Sequence, residues 1–303
     1  MANLDKLYIS IAITTFNQED YISEALEGIL MQECTYSKQI VVSDDNSTDT
    51  TISIIEYYAK KFPHIIKIVS PSINIGMTEN FNRVLSYCDG KYIALCDGDD
   101  YWTDNNKLQK QIDFLEQNPK YSFCCHGYSF VNSNGQTDSV EFKKMQLEYP
   151  DGFDITIGNI FDRWVTQPLT VVFRKNNIEL PILKYKKVYD IVLFTELLLT
   201  GVARWIPYNG GCYRLHESNY WNTLNHLQKF KKEYETFKEM NVNHPGNKVF
   251  TKAVLRSNFY IIKHLWNHHS KNRLTELSKY IISFFLNGVA NLSTVIKLIL
   301  KVN

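Results

Sequence analysis

Lys91-Tyr92-Ile93-Ala94-Leu95-Cys96-Asp97-Gly98-Asp99-Asp100-Tyr101-Trp102 is a short apolar run that ends in three carboxylates. An apolar run of this length, bounded by Gly90 and Asp97, fits a strand covered on both faces. Strands of that kind in α/β proteins deliver functional groups at their carboxyl ends. Asp97, Asp99 and Asp100 repel one another unless a cation lies among them. Hard divalent ions such as Mg²⁺ are held by one or two carboxylates, with substrate phosphates completing the shell. The first inference is therefore a metal that holds a phosphorylated ligand at the end of a central strand. Taken alone the stretch also fits an ordinary acidic turn, since Asp and Gly favour turns.

The surrounding pattern decides where that strand sits. A strand is expected over 8–13, ending at the polar turn Thr14-Thr15-Phe16-Asn17, and a helix over 19–33 with Ile22, Leu26, Ile29 and Leu30 on one face. A second strand over 39–42 stops at Asp44-Asp45-Asn46-Ser47-Thr48-Asp49, where Ser47 or Thr48 is expected to cap a helix running to Lys61. A third strand over 65–69 leads through Ser72-Ile73-Asn74-Ile75-Gly76-Met77 into a helix over 78–88. After the opening stretch a helix is expected over 105–118, with Leu108, Ile112 and Leu115 inward and Pro119 beyond its end. This strand–helix alternation predicts an α/β fold with a mostly parallel central sheet and helices on both faces. The polar turns then share one edge, where such folds bind ligands. No GxGxxG or GxxxxGK[ST] occurs, which argues against a dinucleotide site or a P-loop.

The second half is less regular. Strands are expected over 121–128 and 169–173, a loop over 132–160, and a helix over 188–200 that starts at Tyr189-Asp190 and stops at Gly201. A last strand over 204–208 precedes Cys212-Tyr213-Arg214-Leu215-His216. From 222 onward the pattern is helical, which divides the chain into a domain over 1–221 and a helical extension over 222–303. The segment 279–301 is apolar apart from a polar stripe at Lys279, Ser283, Asn287, Asn291, Thr294, Lys297 and Lys301. That stripe argues for an amphipathic helix over a spanning one. Such a helix packs on its own domain or on a second subunit, or lies on a membrane surface.

Composition narrows the classes. Hydrophobic residues make up 44% and charged residues 21%, as in an ordinary globular protein. A net charge of +1 gives no reason to expect nucleic acid as a partner. The abundant Tyr and Phe serve either a core or stacking platforms for a base or a sugar. Cysteines at 34, 88, 96, 124, 125 and 212 include no CxxC pair, and several lie in apolar runs, which fits a reducing cytosol. Leu7 to Ile13 is too short, and lacks the basic flank, for a signal peptide.

With these pieces in order, the chain resembles the family 2 glycosyltransferases, whose fold is of the GT-A type. The resemblance runs over about 7–216 and rests on Ile11-Ala12-Ile13-Thr14-Thr15-Phe16-Asn17, Ile40 to Asp49, Asn74-Ile75-Gly76 with Asn80, Leu95 to Trp102, and Tyr213-Arg214-x-His216. It implies a sugar-nucleotide donor, most often UDP-linked. Thr15, Asn17 and Glu19 would then surround the nucleoside and Asp45 would read the base, with Asn74, Gly76 and Asn80 on the same donor side. A carboxylate suits the imide hydrogen of uracil; for Asp44 and Asp45 the alternative is charge at a helix start. Asp99 would ligate Mg²⁺ or Mn²⁺, with Asp97 on the ribose or in the metal shell. His216 joins the metal or is a structural histidine, and Arg214 clamps the diphosphate. Trp102 either packs under the donor or caps the core, and is grouped with Thr166 and Gln167 on the acceptor side.

The family's general base stands at the start of a helix after the Asp-x-Asp strand, which here is Asp190; Tyr189 departs from the acid common before it. The activity implied is inverting transfer of a hexosyl or N-acetylhexosaminyl group to a hydroxyl of a glycan or lipid-linked acceptor, as in polysaccharide biosynthesis. Such an enzyme would work in the cytoplasm, at the inner face of the plasma membrane if the C-terminal helices contact lipid, or self-associate through them. The rival readings are a non-catalytic sugar-nucleotide or glycan-binding module and a metal-dependent phosphohydrolase. In the haloacid-dehalogenase type of phosphohydrolase the Asp-x-Asp ends the first strand, whereas here it ends the fourth.

Overall fold

A computed structural model describes residues 8–162, 165–180, 182, 184–187, 190–217, 219, 221, 223–267 and 273–286. The chain divides into two compact units, Met1–His216 and Glu217–Asn303. The first unit runs β1 (Ile9–Thr15), α1 (Ile22–Leu30), β2 (Lys38–Asp44), α2 (Thr51–Lys61), β3 (Ile66–Ile68), α3 (Met77–Ser86), β4 (Tyr92–Asp97), β5 (Tyr101–Trp102), α4 (Lys107–Gln117), β6 (Tyr121–Val131), β7 (Thr137–Asp138), α5 (Val140–Glu148), β8 (Phe153–Ile155), β9 (Val172–Arg174), α6 (Asp190–Thr200) and β10 (Val202–Arg214).

The sheet order is β3-β2-β1-β4-β9-β6-β10-β5, with β7 beside β6 and β8 beside β10. β3, β2, β1 and β4 pair with one another in parallel. Both faces are covered: Ile9, Ile11, Ile13, Ile40 and Val42 line one face and are fully buried on one core with Leu26 and Ile29 of α1, while the alternate residues Ser10, Ala12 and Val41 are buried on the other. The opening stretch is thus a central strand, as its apolar run implies.

Beyond β4 the sheet departs from the expected parallel pattern. β9 enters antiparallel between β4 and β6, while β6 and β10 pair in parallel and β5 closes antiparallel on β10. A short turn of 3₁₀ helix, Pro168–Thr170, precedes β9 where a longer strand was expected. The loop expected over 132–160 carries β7, α5 and β8. None of the residues of α5 is fully buried, so its burial signal in the sequence is weak, yet the Phe142 ring lies 6.4 Å from that of Trp205. The helix after β2 is not capped by Ser47 or Thr48. Asp49 and Glu19 accept from the backbone N–H groups of Thr51 and Thr50, both at 2.9 Å.

The second unit contains α7 (His226–Asn243), α8 (Lys248–Asn267) and α9 (Arg273–Leu286). Asn225 and Gln228 form a reciprocal cap at the start of α7. Phe237, Met240, Phe250, Val254, Ile261 and Ile262 make its apolar interior. The amphipathic segment expected over 279–301 begins within α9, and its part from 287 onward lies outside the described residues. Among the described residues no helix is long and apolar enough to cross a membrane.

Candidate active site

Parallel register brings the polar strand ends to one edge. Thr14 pairs with Ser43 and Asp97, and Thr15 with Asp44. Just beyond, Thr14 O accepts from Gly98 N at 3.0 Å and Thr15 O from Asp45 N at 2.9 Å, so both acidic turns are fastened to the end of β1. Gly98 is the residue that permits this closeness: a Cβ there would lie 2.5 Å from Gln18 Oε1 and 2.9 Å from Thr15 Cβ. Gln18 Oε1 and Thr15 Oγ1 are both buried without a hydrogen-bond partner.

The motif residues expected on the nucleoside side build a frame of loops. Asn17, at φ 52°, accepts from Thr48 N at 2.8 Å. Glu19 accepts from Thr50, as above. Asp45, 3% exposed, takes the N–H groups of Ile75 and Gly76 at 2.7 and 2.9 Å, and Asn74 Nδ2 donates to Asp45 O at 3.0 Å. Gly76 turns at φ 85° to start α3. One expectation is corrected here. Asn80, expected on the donor, is buried and spent on Ser43, whose hydroxyl it accepts at 2.6 Å and whose carbonyl it binds at 2.9 Å; it ties α3 to β2 behind the site. Asp45, whose two oxygens each accept one of the Ile75 and Gly76 backbone N–H groups, clamps the 74–76 loop. Phe16, 45% exposed on the β1–α1 loop, is an apolar ring in solvent that the sequence reading passed over.

At the end of β4 the carboxylates crowd. Burial first, then the charges of Asp99 and Asp190, push Asp97 up to about 7, against the Thr14 hydroxyl that donates to it at 3.1 Å. Asp100 is buried and lifted well above the usual carboxylate range, by burial and then by the charges of Asp99 and Asp97. Its Oδ1 accepts from Arg214 N at 2.9 Å. Arg214 Nε donates to Asp99 O at 2.9 Å, Arg214 Nη2 pairs with Glu24, and His216 Nε2 lies 2.9 Å from Asp99 Oδ2. The end of β10 is therefore laid across the acidic turn.

Asp190 opens α6. Burial pushes it up to about 6, although its own and the Ile191 backbone N–H groups favour the charged form. Its charge acts on Asp97, which brings an acid from a separate helix to the same edge. Residues not singled out in the sequence hold the approach to α6: Asn82 accepts from Ile182 N at 3.0 Å, and Glu196 binds Lys184 at 2.6 Å and the Tyr185 hydroxyl. Tyr189 lies outside the described residues. Thr166 is buried with an unpartnered hydroxyl, and Gln167 leads into the 3₁₀ turn beside β4. Trp102, grouped with the acceptor side, is 1% exposed; its indole N–H donates to Leu169 O at 2.9 Å and Lys107 Nζ sits 4.0 Å from its ring. A ring so enclosed has no face for an acceptor and serves as the floor under the acidic turn.

Among the described residues no three His, Cys, Asp or Glu side chains form a ready metal cage. A divalent ion that shares its shell with phosphate needs fewer protein groups: Asp99, with Asp97 or His216 beside it, would supply them, and the excess negative charge at this turn is what a cation relieves.

The family model of Glycosyl transferase family 2 matches residues 10–171, more than half of the chain. An uncharacterized protein of Mycobacterium tuberculosis, Rv1520, is 33% identical over 71% of this chain, which covers 61% of that relative's length. The fold is similar to that of S. aureus TarS 1–349 in complex with UDP-GlcNAc, with a TM-score of 0.67 and 19% identity over 92% of this chain and 81% of that one. It is also similar to the mannosyltransferase PcManGT of Pyrobaculum calidifontis in complex with GDP-Man and Mn²⁺, with a TM-score of 0.58 and 14% identity over 93% and 84%. These structural likenesses are likenesses of fold.

Proposed function

The chain belongs to glycosyl transferase family 2, and we propose that it is an inverting enzyme that moves a sugar from a nucleoside diphosphate donor to a hydroxyl acceptor by single displacement. The observation that carries the reading is the meeting, at one sheet edge, of the Asp97–Asp99–His216 group with Asp190 from a separate helix. Two carboxylates there are shifted toward neutrality, Asp97 by burial and the neighbouring charges of Asp99 and Asp190, and Asp190 by burial.

In this reading Asp190 is the general base. It takes the proton of the acceptor hydroxyl as that oxygen bonds to the anomeric carbon and the bond to the diphosphate breaks. An acid with its pKa lifted to about 6 is charged at neutral pH yet basic enough for that transfer. One such group suffices for a single displacement, which inverts the anomeric configuration. Asp99, with Asp97 or His216, would hold Mg²⁺ or Mn²⁺, which would supply positive charge to offset that of the leaving nucleotide. Arg214 offers its guanidinium to the same diphosphate. The loop frame of Thr15, Asn17, Glu19, Asp45, Asn74 and Gly76 shapes the nucleoside pocket, and Phe16 presents a ring to the base. Thr166 and Gln167 line the acceptor side.

UDP is the proposed nucleotide and a hexosyl or N-acetylhexosaminyl group the proposed sugar, in keeping with the UDP-GlcNAc complex of the TarS neighbour. The Mn²⁺ in the P. calidifontis complex supports the divalent ion. The proposed acceptor is a growing surface glycan, free or lipid-linked, met at the cytoplasmic face of the membrane. The test is thermal stability with UDP, GDP and dTDP, each with Mn²⁺ and with EDTA. A nucleotide at a hundred times its dissociation constant adds about 2.7 kcal/mol. The expected result is a Mn²⁺-dependent rise with UDP, absent in Asp99→Ala, followed by release of UDP from one sugar nucleotide of a panel. A Mn²⁺-dependent rise with GDP or dTDP alone would move the donor. No rise with any of the three would overturn the donor site.

A further inference from the structure

We propose that Tyr21 and Glu24, at the start of α1, are positioning residues that hold Arg214 and His216 in place over the acidic turn. The inference rests on the reading that Arg214 meets the donor diphosphate. Glu24 lies in the first turn of α1 and pairs with Arg214 Nη2 across 190 residues of chain. The Tyr21 ring centre is 4.7 Å from the Arg214 guanidinium carbon, and that of Tyr101 is 5.2 Å from it. The same Tyr21 ring lies 4.8 Å from the His216 ring, which reaches Asp99 with its Nε2. One end of one helix therefore touches both residues that β10 sends over the metal and phosphate side.

The geometry of guanidinium explains what this does. Arg carries five N–H donors in a rigid planar fork. Here Nε is spent on the Asp99 carbonyl and Nη2 on Glu24, so one edge of the fork is fixed to the protein. The outer N–H groups are then held in a plane set before any ligand arrives, suited to a bidentate phosphate oxygen pair. The Arg214 side chain is 12% exposed and Glu24 51% exposed. A half-exposed ion pair adds little to stability. Its effect lies in restricting a side chain that would otherwise sample many rotamers.

The experiment measures UDP binding in the presence of Mn²⁺ by calorimetry for the wild type, Glu24→Gln, Arg214→Ala and the double variant. Glu24→Gln keeps the size of the side chain and removes its charge. It is expected to weaken UDP about tenfold, with the melting temperature of the ligand-free protein within about 2 °C of wild type. Arg214→Ala is expected to weaken UDP more, and Glu24→Gln to add nothing further in that background. Tyr21→Leu should weaken UDP by a smaller factor, since it removes the ring face and keeps the apolar bulk. If Arg214→Ala weakens UDP while Glu24→Gln binds it as wild type does, the positioning role fails and the reading of Arg214 stands. Tighter binding by Glu24→Gln overturns it as well, because Glu24 would then compete with phosphate. If Arg214→Ala binds UDP unchanged, the reading of Arg214 itself fails.

Discussion

The two ends of β4 carry opposite electrostatic arrangements on one strand. At its start, Glu116 accepts from the Tyr92 hydroxyl at 2.9 Å and also from Tyr8 and Lys91. Arg174 donates to the Tyr92 hydroxyl at 2.8 Å and to Tyr121 O at 2.9 Å. Burial raises the Glu116 pKa, yet these donors and the Lys91 charge hold it below its usual value. At the other end, Asp97, Asp100 and Asp190 are all raised, chiefly by burial, and at Asp97 and Asp100 the charges of neighbouring carboxylates add to it. The first end is closed on itself and serves stability. The second stores unfavourable charge that a ligand and a cation would relieve, which is the usual cost of a site prepared for binding.

The sharpest way to break this contrast is at Asp190. Asp190→Asn is expected to lower the turnover of sugar transfer about 10²- to 10⁴-fold, read as UDP release with acceptor, while UDP binding with Mn²⁺ stays near wild type. A variant that turns over within threefold of wild type, roughly the noise of such assays against that expectation, would remove Asp190 from the base role. Next in size, Asp99→Asn should weaken Mn²⁺-dependent UDP binding about ten- to a hundredfold, with little change in what binds in EDTA.

The third test uses pH. The folded state keeps protons on Asp97 and Asp190 up to about 7 and about 6, whereas the unfolded chain releases them near 4. Between those values the folded state binds more protons, so stability of the metal-free protein falls as pH rises from about 4 to about 7. Saturating Mn²⁺ should remove most of that fall, measured by melting temperature in a pH series. On the same grounds kcat/KM should rise with pH through about 6 and then level. The smallest effect belongs to the paired end. Glu116→Gln should cost about 1–2 kcal/mol, a drop of a few degrees in melting temperature, and leave the donor KM unchanged. A donor KM that moved with Glu116 would erase the distinction between the ends.

The sequence by itself determined the parallel half of the fold. Apolar runs at 8–13, 39–42 and 92–96, each followed by a polar turn and an amphipathic helix, are local patterns, and parallel register turns them into one edge without further information. For the same reason Asp97 and Asp99 were legible as candidate groups at a strand end, whereas Asp190, at a helix start, was reached through the family resemblance. Only the tertiary structure decided what each polar residue is used for. Asn80 and Trp102 look like ligand contacts in the chain and prove to be ties and floor, because their partners Ser43 and Leu169 lie 37 and 67 residues away. Glu24 reads as an ordinary helix surface charge until Arg214 arrives from the far end of β10. A strand was expected over 169–173, but its antiparallel entry between β4 and β6 leaves no local trace, since a strand's residues do not record its direction or its neighbours. Local pattern records where a side chain points along its own element; which distant group meets it depends on sheet order, and sheet order is a property of the folded whole.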